Sequence, residues 1–491
     1  MAQDTSRRWL KFDYFILPLL LVLAFYVAFI PHSGYRYPVH LDEWIHMAGA
    51  KQIASNATAV GLMDPVSGEP YSDGRDYEVG YHLFWAVFHQ VSGLPWVVIF
   101  RYFPGIILIF TVLAVYILAR RQGFGWEAAF FTCLIPTTVG ILGPAFMVPM
   151  AMALLFIPLT LFLAFNIRTV WTYVALVIFM TFLVTIHGPT AVILVIIVAP
   201  FLLIGLKGDF KHSAAVILAL AVPFIISLPW TWHLIVHNGA AIFTQHDLKA
   251  YVDYPRLARI YGYPIIVLCL GGTFLLAMRG GRREYGLVLG LTSILIVLAI
   301  FYTTHYGIPV LYERGLIPMM LMAGIAAGAC LMALRKLELP AVVTSRLKIS
   351  PTVIGYTGWA LCLAAIVLSL VICIPLRQST PYYHMISNED YEAFVWIEQN
   401  VVGDYELAVL DPWKATAFSA VTGKKTYTSI GEYPTDKDQA VYEFLQNGCM
   451  DTDFLRQHAI SIVYSESGCY NGDLVEVREN VYLFPGLQDG Q

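Results

Sequence analysis

Residues 12–30 read FDYFILPLLLVLAFYVAFI, and ten residues on, His40–His46 reads HLDEWIH. The first stretch is nineteen residues long with one charge, Asp13, enough as a helix to cross the hydrocarbon core of a bilayer. Arg7, Arg8 and Lys11 precede it, as in a secretory signal. The run is too long for a signal core, however, and no small-residue cleavage site follows it, so it reads as a retained first membrane helix. The second stretch sets two adjacent carboxylates, Asp42 and Glu43, just beyond the end of that helix.

Comparable apolar runs recur along all 491 residues. The chain is 58% hydrophobic and 13% charged, with a mean hydropathy of +0.65. Soluble domains carry about 25% charged residues, so a water-soluble enzyme is excluded. A net charge of -4 and the lack of any basic cluster interleaved with aromatics leave no case for a nucleic-acid partner. About eleven spans are expected, near 12–30, 97–119, 126–142, 145–166, 170–187, 189–206, 213–236, 260–278, 285–303, 311–334 and 352–375. Gly143-Pro144, His187-Gly188-Pro189 and Pro309 punctuate them as turns.

Basic residues orient these spans. Arg7, Arg8, Lys11, Arg120, Arg121, Arg168, Lys207, Lys211, Arg279, Arg282, Arg283, Arg335, Lys336, Arg346 and Lys348 fall in one set of loops, often in pairs at span ends. The alternate set holds Arg36, Lys51, Arg75, Lys249, Arg256, Arg259 and Arg314. The positive-inside rule then predicts a cytoplasmic N-terminus, and an odd span count puts the C-terminus outside.

Two domains are expected: a membrane domain over 1–376, including a long first extracytoplasmic loop at 31–95, and a soluble domain over 377–491. The soluble part carries 18 Asp and Glu against 7 Lys and Arg, a solvated surface. Helices are expected at 389–401 and 435–446, and strands at 406–410, 459–464 and 475–484, giving a small α/β domain. Cys449 and Cys469 lie in this polar region and can form a disulfide if it is outside the cell; the other five cysteines sit singly in apolar runs and read as core residues. The fold class is therefore mainly α, a polytopic helix bundle with a small extracytoplasmic α/β domain.

Ionisable residues collect at one side. Asp42 and Glu43 open a helix-like stretch, where their bland role is to complement the helix dipole; a carboxylate there is also able to act as general base or cation ligand. Glu43 and His46 share a helical face, which permits joint binding of a divalent metal. Glu78 and His82 are four apart on an aromatic segment suited to the membrane interface. His187, His305, Glu313, Arg314, Arg256 and Arg259 fall at span ends or loops on the same side, with His233, His237, His246, Asp247, Lys249 and Asp253. Each alone reads as a structural polar group; together they mark a functional face, because charge near membrane depth is costly. Arginines there suit a lipid-linked phosphate, to which they offer bidentate contact. No P-loop or GxGxxG motif is present to bind a nucleotide.

With these residues in view, the layout resembles the GT-C superfamily of membrane glycosyltransferases, including protein O-mannosyltransferases and related archaeal and bacterial lipid-linked sugar transferases. The resemblance rests on His40-Leu41-Asp42-Glu43, on the 77–93 segment and on Tyr312-Glu313-Arg314-Gly315-Leu316-Ile317-Pro318, and it covers roughly 1–376. Trp396-Ile397 and Asp411-Pro412-Trp413 resemble tails of archaeal-type members. The resemblance implies a polyprenyl-phosphate sugar donor of the dolichyl type, a glycan, lipid or protein acceptor and catalysis at the extracytoplasmic face. Asp42 would be the base, Glu43 would assist it or hold a metal, and Arg or His would stabilise the leaving phosphate. The tail lacks the Trp-Trp-Asp-Tyr-Gly motif of oligosaccharyltransferases, which argues against transfer to Asn sequons. Asn56-Ala57-Thr58 is itself a sequon in the first loop. The rival readings, a multi-span transporter or lipid flippase and a non-catalytic membrane scaffold, give the first-loop carboxylates no task, and the internal repeats expected of a transporter are not evident.

Overall fold

The computed structural model describes residues 2–58, 64, 66, 78–247, 251–338, 350–430 and 435–486. The chain forms two compact units: Met1–Ser33 with Tyr102–Pro381, and Gly34–Arg101 with Tyr382–Gln491. This differs from the expected cut. The first loop groups with the C-terminal region rather than with the membrane helices.

In chain order the helices are α1 (Ala2–Phe29), α2 (Leu41–Asn56), α3 (Val79–Ser92), α4 (Trp96–Arg120), α5 (Gly125–Cys133), α6 (Pro149–Leu154), α7 (Phe156–Asn166), α8 (Val170–Ile186), α9 (Gly188–Gly208), α10 (Phe210–Ala241), α11 (Tyr254–Tyr261), α12 (Tyr263–Arg279), α13 (Arg282–Thr304), α14 (Pro309–Arg335) and α15 (Pro351–Gln378). Among the described residues, eight helical stretches are long and apolar enough to cross a membrane, and the bent α11–α12 pair makes a ninth. With the shorter α8, the protein is a multi-pass membrane protein.

The expected span at 126–142 is α-helical only in its first part. Its helix, α5, ends after nine residues, a rise of only ~13 Å. Beyond it, Pro136 and Gly140 frame a turn closed by the Thr138–Ile141 bridge. Apolar content was read there as span length, whereas the segment is buried by neighbouring helices. The α11–α12 bend is 96° and falls at Gly262, whose φ of +112° excludes most side chains.

The centre of the membrane unit is α14, which packs on α5, α9, α12, α13 and α15. Its small residues Ala323, Gly324, Ala326, Ala327, Gly328 and Ala329 explain that position. A Cβ on Gly272 of α12 would strike the Ala326 carbonyl, and one on Gly328 would strike Ala128 of α5. Without a hydrophobic force between helices in lipid, such close backbone approach is a main source of association. Where α5 meets the end of α14, Arg335 donates to Glu127 Oε1 at 2.9 and 2.6 Å, both side chains being buried. The guanidinium also lies 5.5 Å from the Trp126 and Trp359 rings.

The second unit carries α2, α3 and the C-terminal α/β fold. The latter comprises α16 (Asn388–Asn400), β1 (Leu407–Val409), α17 (Ala415–Thr422), β2 (Lys425–Thr426), α18 (Asp436–Gln446), α19 (Thr452–Gln457), β3 (Ile462–Tyr464), β4 (Val475–Arg478) and β5 (Val481–Leu483). The sheet order is β2-β1-β3-β5-β4, with β1 parallel to β2 and β3 and the β4–β5 hairpin antiparallel. The strand expected at 475–484 is thus two, separated at Asn480, whose φ is +66°. Capping boxes at Ser387 and Thr435 start α16 and α18 close to the expected positions. The core gathers Val409, Val441, Phe444, Leu455, Val463 and Phe484.

Cys449 and Cys469 form a disulfide with a Cα separation of 5.1 Å. It closes a loop of 20 residues, so by loop entropy it contributes about 3 kcal/mol. Reduction, or Cys469→Ser, is expected to lower the unfolding midpoint of this unit by several degrees in calorimetry, with the membrane helices' circular dichroism unchanged.

Candidate active site

The α2 start is built by two unusual caps. His40, in extended conformation, caps the helix with its ring: Nδ1 accepts from the Asp42 amide at 3.1 Å. That bond requires a neutral Nδ1, so the imidazole carries its proton on Nε2. Glu43, completely buried, reaches back to accept from the Val39 amide at 2.8 Å. Together they satisfy amides that a helix start leaves open. Asp42 is left as the carboxylate facing outward, its side chain 29% exposed and 3.6 Å from His40 Nδ1. The two carboxylates expected to act side by side therefore divide their work: Glu43 fixes the loop and Asp42 is accessible.

One turn on, the buried His46 and His82 rings meet, Nδ1 to Nε2 at 3.0 Å, with Glu78 Oε2 3.7 Å from His46. Tyr81 lies beside them; burial, then the Glu43 and Glu78 charges, hold its phenol well above the usual range. Of the sequence-derived group, His46, Glu78 and His82 are thus brought together, with Tyr81 added beside them and within reach of the Glu43 charge, whereas Asp42 meets His40. Gly49 makes the fit possible, since a Cβ there would stand 3.0–3.1 Å from the His82 ring. Gly49→Ala is expected to cost about 1–3 kcal/mol by overpacking. A thermal shift assay with Gly49→Ala beside Ala48→Gly checks it: equal losses would mean that crowding of His82 is not the cause.

The other candidates lie in the membrane unit, at the end where α8 and α13 finish and α9 and α14 begin. His187 is buried and caps α9, with Nδ1 2.7 Å from Thr190 Oγ1. The Arg314 charge acts on the same imidazole. His305 closes α13 in the left-handed conformation, its carbonyl accepting from the His246 amide at 2.9 Å. Glu313 is exposed and Arg314 half-buried. Arg256 and Arg259 are exposed on α11, which buries Leu257 and Tyr261 and is capped by Asp253. Tyr312 Oη donates to the Val252 carbonyl at 2.6 Å, holding the loop before α11 to the head of α14. The side chains of His233 and His237, and Lys249, fall outside the described residues.

Of the pair considered for a divalent metal, Glu43 accepts from the Val39 amide and His46 meets His82; among the described residues no group of three or more His, Cys, Asp or Glu is gathered around a metal position.

No family model matches the chain, and no curated protein resembles it in sequence. Solved structures do resemble it. The oligosaccharyltransferase of Archaeoglobus fulgidus in its apo form superposes with a TM-score of 0.61 at 11% identity, over 92% of this chain and 69% of that one. The Cupriavidus metallidurans ArnT in its apo state gives 0.55 at 12% identity, over 90% and 89%. The arabinofuranosyltransferase AftD from mycobacteria gives 0.56 at 16%, over 94% and 35%. The chain has a GT-C fold. At 90–94% of this chain, the likeness extends over both units.

Sequence reasoning missed one feature of this region. The Tyr383 amide donates to the Val39 carbonyl at 3.1 Å, and its ring lies 5.6 Å from that of His40. No local pattern links residues 40 and 383; only the aromatic richness of Tyr382-Tyr383-His384 was available as a signal.

Proposed function

We propose that this chain is a glycosyltransferase that moves a sugar from a polyprenyl-phosphate donor to a hydroxyl acceptor at the extracytoplasmic membrane face. Asp42 carries the reading: it is an accessible carboxylate, fixed by His40 and Glu43, in a GT-C fold. Asp42 takes the acceptor's hydroxyl proton as that oxygen bonds to the anomeric carbon. The bond from anomeric carbon to phosphate oxygen breaks, and the lipid phosphate leaves with the electron pair. Arg256, Arg259 and Arg314 are the cations suited to that phosphate, and His187, His305 and Glu313 hold or flank the segments that carry them. His46, Glu78 and His82 keep α2 and α3 in register.

Lipid-phosphate use is supported by the neighbours: ArnT has been solved bound to undecaprenyl phosphate, and the archaeal enzyme with an inhibitory peptide and a dolichol-phosphate. The Cys449–Cys469 disulfide suits an oxidising compartment, and the basic loops suit a cytoplasmic N-terminus. Membranes given a radiolabelled polyprenyl-phosphate sugar test the reaction: transfer is expected, and equal transfer by Asp42→Asn would overturn it. For orientation, a cysteine at Ser33 should react with an impermeant maleimide in intact cells; labelling only after lysis would reverse the topology.

A further inference from the structure

The C-terminal sheet has a switch in its connections. From β1 the chain passes through α17 to β2 on one side, then crosses back to β3 on the other. In open α/β sheets the crevice outside the carboxyl ends of two such strands is where ligands bind. Here those ends carry Asp411, Trp413 and Lys414 after β1, and Ser465 and Glu466 after β3. Trp413 is 41% exposed, whereas Phe394, Phe418 and Phe484 of the same fold are buried. Its ring lies 5.4 Å from Tyr383, and Tyr383 lies 5.6 Å from His40, the residue that caps Asp42. A row of rings thus leads from the candidate base to the crevice.

The rim of that row is rigid and acidic. Asp411 Oδ1 accepts from the Trp413 amide at 3.0 Å and from Tyr442 at 3.3 Å, fixing the turn that presents the indole. Lys414 is held between Asp390 and Glu466 at 2.7 and 2.8 Å, so its charge is balanced within the protein. Exposed ring faces beside carboxylate oxygens suit a sugar, whose axial C–H bonds lie on an aromatic face while its hydroxyls donate to the carboxylates. A phosphorylated or otherwise anionic acceptor would meet repulsion from Asp411, Glu466 and Asp42.

Resting on the transferase reading, we propose that Trp413 and Tyr383 are the acceptor platform, and that the acceptor is an uncharged saccharide. The test is saturation-transfer NMR on the full chain in nanodiscs, with methyl α-mannopyranoside, methyl β-glucopyranoside and cellobiose as probes and an amidated Ala-Ser-Ala peptide as control. Saturation is expected on ring C–H protons of at least one saccharide, reduced at least fivefold by Trp413→Ala and partly kept by Trp413→Phe. It should persist in Asp42→Asn, which separates the platform from the chemistry. In the transfer assay Trp413→Ala should raise the KM for the saccharide acceptor about tenfold. No saccharide signal in the wild type, an equal signal in Trp413→Ala, or a Trp413-dependent signal on the peptide alone would overturn the proposal. Saccharide saturation without transfer from any donor would instead overturn the transferase reading and leave the platform standing.

Discussion

Asp42→Asn is expected to lower sugar transfer by 10²–10⁴-fold, the usual contribution of a positioned general base. The substitution keeps the side chain's size and the backbone amide that His40 accepts, so α2 should keep its start. What it removes is the ability to take a proton. The loss should appear in kcat rather than in donor KM, because a base acts in the transition state. Glu43→Gln provides the contrast. Its amide oxygen can still accept from the Val39 amide, so activity should fall far less than in Asp42→Asn. If Glu43→Gln were the more damaging of the two, the roles assigned to the pair would be reversed.

The largest stability effect is expected at Glu127 and Arg335. Arg335→Met leaves a buried carboxylate without its two charge-assisted hydrogen bonds, and breaking such a pair costs about 3–5 kcal/mol. The double variant Glu127→Leu, Arg335→Met removes both charges and should recover most of that loss, since an apolar replacement of a buried pair is often neutral. Thermal unfolding in detergent of the single and double variants measures the coupling. Additive losses would mean that the two side chains act independently.

The two sites differ in how far the sequence disclosed them. Asp42 was legible because its setting is local: a span ends, a helix begins, and the carboxylates sit in its first turn. Glu43's actual task, the Val39 amide, is four residues away, yet the same local pattern fits both a catalytic pair and a cap. The Glu127–Arg335 pair spans 208 positions. Arg335 reads equally well as an ordinary cytoplasmic base at a span end, and nothing periodic connects it to Glu127. The Tyr383–Trp413 row was hidden for the same reason.

A continuous helix was expected at 126–142, where hydrophobicity measured burial by protein rather than by lipid. The 126–142 segment is as apolar as its neighbours, but α5 stops after nine residues. Helix type was easier to read in the tail, where side-chain caps at Ser387 and Thr435 mark each start.

The second unit is stitched from two distant pieces of chain: β2 at its sheet edge receives the Val66 carbonyl through the Thr426 amide at 3.1 Å, and Lys51 reaches the Val421 carbonyl at 2.7 Å. A ribosome delivers the first piece some 280 residues before the second. During that interval α2 lacks α17, the helix of the tail that it packs against, and the nascent loop must be sheltered or left exposed to proteases. Quality control of this protein therefore has a natural checkpoint at the very end of its synthesis, when the last strand arrives.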